Sequence, residues 1–524
     1  MKPALLVVLL VMLCIGCARK NFFATSPLVY TDEITPTLPP GKDSVMVQAG
    51  KHYRHGKIFS LLFGKHYRNV WAAPVQARVL RLQEEKGGLK IEKVGGSMQT
   101  TSFTLSDKDG MQYALRMVDK DPAGTLPGFL QKTIIASFLR DQTAALNPYA
   151  ALVVAPLAQV AGIPHANPEL VYLPADSLVL GKYYKLAGDK LYLLEEKMEQ
   201  ARVLQEDTIG LKKIVDSEKL LQKRFKHNTH HVDQLAFAKA RLFDLFINDR
   251  DRHVGQWNWA AFKRGNMTSY KPVPKDRDQA FYKFANGLLP RIVGRGLNYQ
   301  KFISFRRDFG DMEALLQKSK YVDEHFLSEV TQAEFDSLAI VLKDAFSDSV
   351  IESAVAALPK AAYKEAGTEM TMALKSRRDL LPEAAKAFYK LLAEEVTVAG
   401  TDDEEHFIVE RMKDGKTEVT VLRDDKTIMY YRIFDPAETK KIKLHGLGDD
   451  DVFEISGKAE KGTLVEIYGG LGEDEITDTS HVKGWKKLTL VFDTANGTKL
   501  NLGSEAKDKT TSDVAVHAFN REGI

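Results

Sequence analysis

The chain has 524 residues, of which 44% are hydrophobic, so it is long enough to bury more than one core and two or three domains are expected. Its 73 lysines and arginines nearly balance its 70 aspartates and glutamates, and this balance gives no whole-chain basis for binding nucleic acid. Beyond the N-terminal segment, no run approaches the roughly 20 apolar residues that a membrane-spanning helix requires.

The N-terminus combines a basic residue, an apolar run from Ala4 to Ile15 and a glycine directly before Cys17. This order resembles a bacterial lipoprotein signal, in which the cysteine becomes the lipidated first residue. The resemblance implies a membrane anchor at Cys17 and a place in the bacterial cell envelope, as an outer-membrane lipoprotein. The residues after Cys17 include no acidic run, which favours the periplasmic side over the cell surface. A cleaved secretory signal without lipidation is the alternative.

A proline-containing stretch at 18–48 predicts a tether between the anchor and the folded body. The pentapeptide Gly-Lys-His-Tyr-Arg then occurs twice, at 50–54 and at 64–68. A basic-aromatic patch that contacts a membrane or a phosphate is one interpretation of this repeat. We favour the other interpretation, in which two similar turns pack their tyrosines.

Two strand-like runs, 89–94 and 100–105, flank the pair Gly95-Gly96 and predict part of a small sheet. A glycine pair between strands lets the backbone approach a phosphate closely and offer amide hydrogens to it. Gly95, Gly96 and the following Ser97 are therefore candidate nucleotide contacts. An ordinary hairpin turn is the alternative.

A helix is predicted over 235–247, and the charged cluster Asn248-Asp-Arg-Asp-Arg-His253 follows it directly. A second charged cluster, Lys275-Asp-Arg-Asp-Gln-Ala-Phe281, is bracketed by Val273 and Phe281 and predicts a short strand that carries an acid. Two carboxylates from a loop and a strand end can divide the work of phosphoryl transfer, because one accepts the proton of the attacking hydroxyl while the other holds a metal. A surface salt-bridge loop would explain the first cluster alone, and the second cluster favours a catalytic site.

The motifs Asp251-Arg-His253 and Asp276-Arg-Asp-Gln-Ala-Phe281 resemble those of atypical kinases: the spore-coat CotH kinases, the HipA-type kinases, the secretory-pathway kinases and, more distantly, the phosphoinositide kinases. The segment 191–197 is similar to the hinge strand of CotH proteins, and the greatest similarity is to CotH-like, kinase-fold lipoproteins of Bacteroidetes. The resemblance covers about residues 50–395. It implies an α+β chain in which an atypical protein-kinase-like two-lobe fold is followed by a small all-β domain.

This resemblance assigns roles to the two acidic motifs. Asp251 is implied as the catalytic base, together with His253 of the same motif, and Asp249 is the alternative base. The implied cofactors are Mg or Mn with ATP or another nucleotide. The residues implied as metal ligands are Asp276, Asp278 and Gln256. Gln256 is at the position where the family usually has asparagine, and Asn258 follows two positions later.

The nucleotide is expected to contact the first sheet. A kinase fold places a lysine two residues after a small residue, where it pairs with the α and β phosphates. That position is Arg116 here, and Lys120 is a rival candidate. Asp141 is the only acid in the helix predicted over 129–145, so it is expected to orient this cation. Glu195, in the hinge-like strand, completes the candidate contacts.

From about residue 396 the pattern changes to short alternating strands, which indicates a separate β domain. Within it, 446–453 and 469–476 resemble the glycine-aspartate calcium-binding repeat of β-roll proteins. The two copies do not follow each other in tandem, so we interpret them mainly as tight turns between stacked strands. If calcium binds in this β domain, Asp450 and Asp474 are the expected ligands.

These expectations describe a lipid-anchored envelope protein that transfers phosphate to a protein or a glycan. A catalytically inactive kinase-fold binding or scaffold protein is the alternative, because Arg116 and Gln256 replace the usual lysine and asparagine and the periplasm has no ordinary ATP pool. The predicted boundaries are a signal peptide at 1–17, a tether at 18–48, a basic-aromatic segment at 49–87, an N-lobe at 88–198, a helical C-lobe at 199–395 and a β-rich domain at 396–524.

Overall fold

Four sheets and a set of helices make up the part of the chain that the structure, a computed structural model, describes: residues 26–29, 43–95, 102–200, 209–284, 286–291, 303–494 and 497–523. The chain is therefore a mixed α/β protein with several sheets, as the sequence predicted. The α-helices of these ranges are α1 (Lys57–Phe63), α2 (Arg68–Ala72), α3 (Ile134–Asp141), α4 (Ala150–Val160), α5 (Ser177–Leu180), α6 (Tyr184–Ala187), α7 (Ser217–Lys226), α8 (Gln234–Phe246), α9 (Met312–Leu316), α10 (Lys320–Phe326), α11 (Gln332–Ala345), α12 (Asp348–Ala356), α13 (Lys360–Asp379), α14 (Leu381–Ala393) and α15 (Val514–His517).

The first sheet has seven strands in the order β1-β2-β6-β7-β5-β4-β3. Apolar residues of these strands, among them Phe103, Leu115 and Tyr192, are buried in one hydrophobic cluster, which stabilises the extended segments. The pairing of β5 with β7 sets Arg116 opposite Leu193. The strands are β1 (Ser44–Val47), β2 (Val75–Val79), β3 (Lys90–Gly95), β4 (Ser102–Ser106), β5 (Gln112–Met117), β6 (Glu169–Leu173) and β7 (Lys190–Glu196).

The N-terminal segment is more ordered than the sequence predicted. β1 lies inside the stretch predicted as a tether and pairs with β2 in antiparallel register. In both copies of the repeated pentapeptide the tyrosine is buried, since Tyr53 is 0% and Tyr67 is 3% exposed. The favoured interpretation of the repeat, as turns that pack their tyrosines, is confirmed.

The second sheet has four strands in the order β8-β10-β11-β9. Its central hairpin closes through Gly265, whose φ of 62° is a left-handed value that favours glycine. Strand β11 ends at Pro274, so Asp276 lies just beyond the C-terminal end of this strand. The strands are β8 (Leu211–Asp216), β9 (His230–Val232), β10 (Trp257–Arg264) and β11 (Met267–Pro274).

The largest hydrophobic cluster joins the first two sheets to the helices α4, α8 and α10 to α14. Helix α8 is at its centre, where Phe237, Leu242 and Phe243 are fully buried. Within the described ranges no single helix is long and apolar enough to cross a membrane. One pair, Ile134–Ala145 and Ala150–Val160, reaches that length and composition only together, across a 42° bend.

The C-terminal strands form two sheets, in the orders β12-β16-β18-β21-β23 and β15-β14-β13-β17-β19-β22. From β16 onward the chain passes back and forth between them, and its strands pair in parallel with those of the next turn of the chain. The strands are β12 (Glu395–Ala399), β13 (Glu405–Arg411), β14 (Thr417–Arg423), β15 (Ile428–Phe434), β16 (Lys441–Gly448), β17 (Val452–Ala459), β18 (Leu464–Leu471), β19 (Glu475–Asp478), β20 (His481–Val482), β21 (Thr489–Phe492), β22 (Lys499–Leu502) and β23 (Ala506–Asp508).

The glycine-aspartate segments of this region are turns that stack on one another, as predicted. The amide of Asp451 donates to Asp474 Oδ1 at 2.9 Å, and the amide of Glu473 donates to Asp450 Oδ1 at 2.8 Å. Across the described residues, no group of three or more His, Cys, Asp or Glu side chains is arranged to hold a metal ion. Calcium at Asp450 and Asp474 stays a prediction.

Candidate active site

The first charged cluster leaves helix α8 through a fixed turn. Arg377, which is fully buried, donates to the carbonyl oxygens of Leu245 and Phe246 at 2.5 and 2.9 Å and so satisfies the end of the helix. Asn248 then takes a left-handed conformation with φ 56°. The second cluster is joined to this turn, because the amide of Phe281 donates to the carbonyl oxygen of Ile247 at 2.8 Å.

Asp244 links the two charged clusters through ion pairs. Its carboxylate is 0% exposed and lies 3.1 Å from nitrogens of Arg241, Arg252 and Arg277. Arg252 also donates to the carbonyl oxygens of Lys275 and Gln256, at 2.6 and 2.8 Å. One buried anion therefore fixes an arginine from the helix and an arginine from each acidic motif.

Asp251 is bound by side chains from two other segments of the chain. One carboxylate oxygen accepts from Gln279 Nε2 at 2.6 Å, and the other contacts the ammonium of Lys318. Asp249 is instead buried against Arg252, and burial raises the pKa of this carboxyl to about 7. Of the two candidate bases, Asp251 is the partly exposed one, with 15% of its side chain exposed against 0% for Asp249.

His253 lies on the outer side of the same loop. Its Nδ1 accepts the amide hydrogen of Gly255 at 3.1 Å and thereby caps the short turn Val254–Gln256. Burial lowers the pKa of His253, although Asp251 opposes this shift. The imidazole is therefore neutral at pH 7, and in this structure its contact is structural.

Asp276 and Asp278 face two cations from the first sheet. Arg116 lies 2.5 Å from Glu195 Oε1 and 3.3 Å from Asp276 Oδ1, while Lys120 contacts Asp278. Burial raises the pKa of Asp276, but Arg116 and Lys120 outweigh it, and the net pKa lies below the usual value. Asp276 is therefore an anion at neutral pH, held in a left-handed conformation with φ 52°.

A cavity of about 100 Å³ separates the first sheet from Asp276. Its apolar wall includes Ala114, Leu193 and Met198, and its polar wall includes Arg116, Glu195, Asp276 and Asp278. Asn258 also lines it, is 2% exposed, and has an Nδ2 without a hydrogen-bond partner. The cavity therefore joins an apolar wall to a set of cations and carboxylates.

Among the described residues, the cavity is lined by Asn258 and Asp276 but not by Gln256. Gln256 contributes its backbone carbonyl to Arg252, as given above. Rotating the amide of Asn258 by 180° would turn its oxygen towards the cavity. Two carboxylates and an amide oxygen are ligands that Mg and Mn accept, so the donors fit the expected metal.

Asp141 is not the partner of Arg116 in this structure, contrary to the sequence prediction. Arg68 binds both of its oxygens, at 2.7 and 2.6 Å, and His55 approaches one of them at 3.1 Å. The helix α3 begins at Ile134, later than predicted, and its acid faces the N-terminal segment. Glu195 takes the expected place beside Arg116.

The remaining predicted positions differ in their outcome. Gly95 ends β3 opposite Ser102, which is the start of a hairpin. Gly96, Ser97 and Cys17 lie outside the described residues. The sequence did not predict three sets of contacts, because they join different segments of the chain. Lys318 and Gln279 contact Asp251, and Asp244 contacts an arginine of each acidic motif.

No family model matches the sequence, and no curated protein matches it. Solved structures with a partial similarity of fold include the proinflammatory kinase CtkA of Helicobacter pylori, with 12% identity over 57% of this chain and 95% of that chain and a TM-score of 0.30. A Golgi casein kinase with Mn/ADP bound has 11% identity over 57% and 72% and a TM-score of 0.30. The HipA, HipB and operator DNA complex of Shewanella oneidensis MR-1 contains a chain with 12% identity over 61% and 78% and a TM-score of 0.27.

One brace of the acidic loop can be tested by itself. The hydroxyl of Tyr67 donates to the carbonyl oxygen of Phe281 at 2.6 Å, and both residues are buried. Tyr67→Phe leaves that carbonyl unsatisfied, so we expect about 1–2 kcal/mol of local destabilisation. Hydrogen exchange of residues 276–284 is expected to accelerate. Tyr184→Phe, at a 38% exposed side chain, is the control, and equal exchange in both variants would contradict the brace.

Proposed function

We propose that this chain is a kinase-like phosphotransferase that uses a divalent metal and a nucleotide, with Mg or Mn and ATP as the first choices. The observation that carries the proposal is the hydrogen bond from Gln279, in the motif that carries Asp276, to Asp251, which joins the two acidic motifs. Both acids are positioned by loops that a single buried carboxylate joins, and cations of the first sheet face them. Under this proposal residues 88–198 and 199–395 are two lobes of a kinase-like fold, and residues 396–524 are an all-β domain.

The residues of the cleft have separate tasks in this proposal. Asp251 accepts the proton of the acceptor hydroxyl, and Gln279 holds its second oxygen in place. Arg116, oriented by Glu195, binds phosphate oxygens. Asp276, Asp278 and Asn258 would hold a divalent metal, which would supply positive charge beside the phosphate. The apolar wall at Ala114, Leu193 and Met198 receives the base of the nucleotide.

The setting of the reaction is also a proposal. A lipid anchor at Cys17 would hold the chain at the outer membrane, on the periplasmic side, and the acceptor would be a protein or a glycan of the envelope. The phosphate donor must then be a nucleotide that reaches this compartment.

A non-catalytic envelope binding protein is the second candidate. It is favoured because each of the three acids pairs with a cation of the chain. Arg116 contacts Asp276, Lys120 contacts Asp278, and Lys318 contacts Asp251. Such pairs neutralise the carboxylates without a metal.

Ligand-dependent stability separates the two candidates. We expect ATP with Mg to raise the unfolding temperature of the full chain, because a ligand that binds only the folded state stabilises it. Asp276→Asn is expected to abolish the metal-dependent part of the rise, and Asp424→Asn, at an exposed turn, is the matched control. Asp251→Asn is expected to keep the rise and to slow transfer by about 10²–10⁴-fold. An unfolding temperature that no nucleotide or metal changes would leave only the binding protein.

A further inference from the structure

A second cavity, of about 390 Å³, lies between the helices and the C-terminal strands. Helix α7, strand β9 and the segment after α10 form one side, and β12, β14 and β15 form the other. It shares no lining residue with the cleft at Asp276. Part of its wall is apolar, through Phe225, Val232, Phe326, Val330 and Ile428.

Two arginines in this cavity contact only neutral groups. Arg224 donates to the carbonyl oxygens of Ala399 and Gly400, at 3.1 and 3.3 Å. Arg423 donates to the carbonyl oxygen of Asn228 at 3.0 Å and to a threonine hydroxyl at 2.9 Å. Neither guanidinium forms an ion pair within 4.0 Å in the described part of the chain. Burial lowers the pKa of Arg224, and the nearby charges of Glu405 and Glu329 oppose this shift.

The acids around the same cavity are already engaged. Asp233 accepts the amide of Ala236 at the start of α8, and Glu334 completes a capping box with Thr331 at the start of α11. Glu329 accepts from Gln234 Nε2 at 2.6 Å, and burial raises the pKa of this carboxyl to about 7. The acids therefore serve helix ends and an amide, while the arginines keep their charge.

Glu405 is the other acid that acts on Arg224. Its carboxylate accepts from Thr401 and Asn228, at 2.5 and 3.1 Å, and burial raises its pKa to about 7. Burial therefore disfavours the charged form of this carboxyl. Its charge offsets that of Arg224 only in part.

Burial and nearby cations both lower the pKa values of two histidines in the cavity wall. Burial lowers the pKa of His231, and Arg423 and Arg224 lower it further. Burial also lowers the pKa of His230 to about 4, with Lys223 adding to the shift. Both imidazoles are neutral at pH 7 and can hydrogen-bond a ligand without repelling it.

We propose that this cavity binds a small organic oxyanion, a phosphate monoester or a carboxylate with an apolar body, whose charged group lies between Arg224 and Arg423. An anion there would form with the two guanidiniums the close ion pairs that neither makes within the described residues. The apolar wall and a volume of about 390 Å³ leave room for more than an inorganic ion. This site does not depend on the proposed phosphotransfer.

Calorimetric titration of the full chain with phenyl phosphate, benzoate and inorganic phosphate tests the proposal. We expect at least one organic probe to bind, and inorganic phosphate to bind at least tenfold more weakly. Arg224→Gln and Arg423→Gln are each expected to weaken the organic probe by tenfold or more. The control is Arg264→Gln, at an exposed strand end, which is not expected to change the affinity. Arg116→Gln, in the other cleft, identifies any binding of the probes there.

Three outcomes would overturn the site. They are no binding of either organic probe up to about 10 mM, loss of binding in Arg116→Gln with retention in Arg224→Gln, and equal affinities for phenyl phosphate and inorganic phosphate. The unfolding temperature of each variant without ligand checks that it is folded. Because the two arginines contact different partners, a loss of fold in one variant leaves the other to decide.

Discussion

Replacing Asp244 with alanine is expected to destabilise the folded chain by about 3–5 kcal/mol, because it removes one partner of a buried ionic cluster. Arg241 keeps Asp323 and Arg252 keeps Asp249, but Arg277 loses the carboxylate beside its Nε. Burial lowers the pKa of Arg277, and Asp244 opposes that shift, so the cost is greatest at this residue. Thermal and denaturant unfolding of the full chain measure the change.

The same variant is expected to loosen both acidic motifs together. Hydrogen exchange is expected to accelerate at 248–256 and at 275–281, since an arginine from each motif depends on Asp244. Asp344→Ala, on the exposed face of α11, is the matched control and is expected to change stability by less than about 0.5 kcal/mol. A loss at Asp244 no greater than this would mean that the cluster does not hold the loops.

The C-terminal strands are expected to lose stability as the pH rises, and Asp451→Asn is expected to remove most of that loss. Asp451 is 1% exposed, and burial, followed by the nearby charge of Glu405, raises the pKa of its carboxyl to about 10. A raised pKa favours the folded state below the unfolded pKa of about 4 and destabilises it progressively up to the folded value. Between pH 4 and pH 7 the loss is on the order of 4 kcal/mol.

Asparagine has the right shape for this position. The amide of Glu405 donates to Asp451 Oδ1 at 2.8 Å, and an asparagine oxygen can accept the same bond without a charge. Oδ2 of Asp451 is buried without a hydrogen-bond partner and lies where a Cβ at Gly446 would be 2.2 Å away, which explains why glycine faces it.

Hydrogen exchange over 395–508 at pH 5, 7 and 9, corrected for the intrinsic rate, gives the pH dependence. Asp450→Asn, at the exposed neighbour, is the control and is expected to retain the slope of the parent chain. The other acids that face Asp451, which are Glu405, Asp474 and Asp449, would be responsible for any slope left in Asp451→Asn. A parent chain whose C-terminal strands grow more stable from pH 5 to pH 9 would contradict the raised pKa.

Local patterns in the sequence predicted the acidic motifs and helix α8, whose apolar spacing ends at a polar cluster. The short strand expected at 273–281 was wrong, because β11 ends at Pro274 and the acids follow it outside the strand. The pairing of Arg116 with Glu195 was not predictable, since it depends on β5 and β7 being neighbours although they are far apart in sequence. Asp141 was assigned to Arg116 because it was the only acid of its helix, and the sequence did not reveal that Arg68 would reach it.

The contacts on Asp251 show the same limit. Lys318 lies 67 residues further along the chain, in the connection between α9 and α10, and no local motif marks it. Ser319, the next residue, binds Arg241 and Asp323, which fixes the backbone beside this lysine. Buried charge clusters of this kind join distant segments, and the sequence alone contains no spacing rule for them.

The N-terminal segment makes the acidic loop depend on residues more than 200 positions before it. Tyr67 and His66 bind the carbonyl oxygens of Phe281 and Lys283 across separations of 214 and 217 residues. A truncated chain that begins at Ser44 keeps both bonds, and one that begins after Ala72 loses both. Removing residues 44–72 would therefore free the loop after Asp276 from two of its bonds without altering either acidic motif.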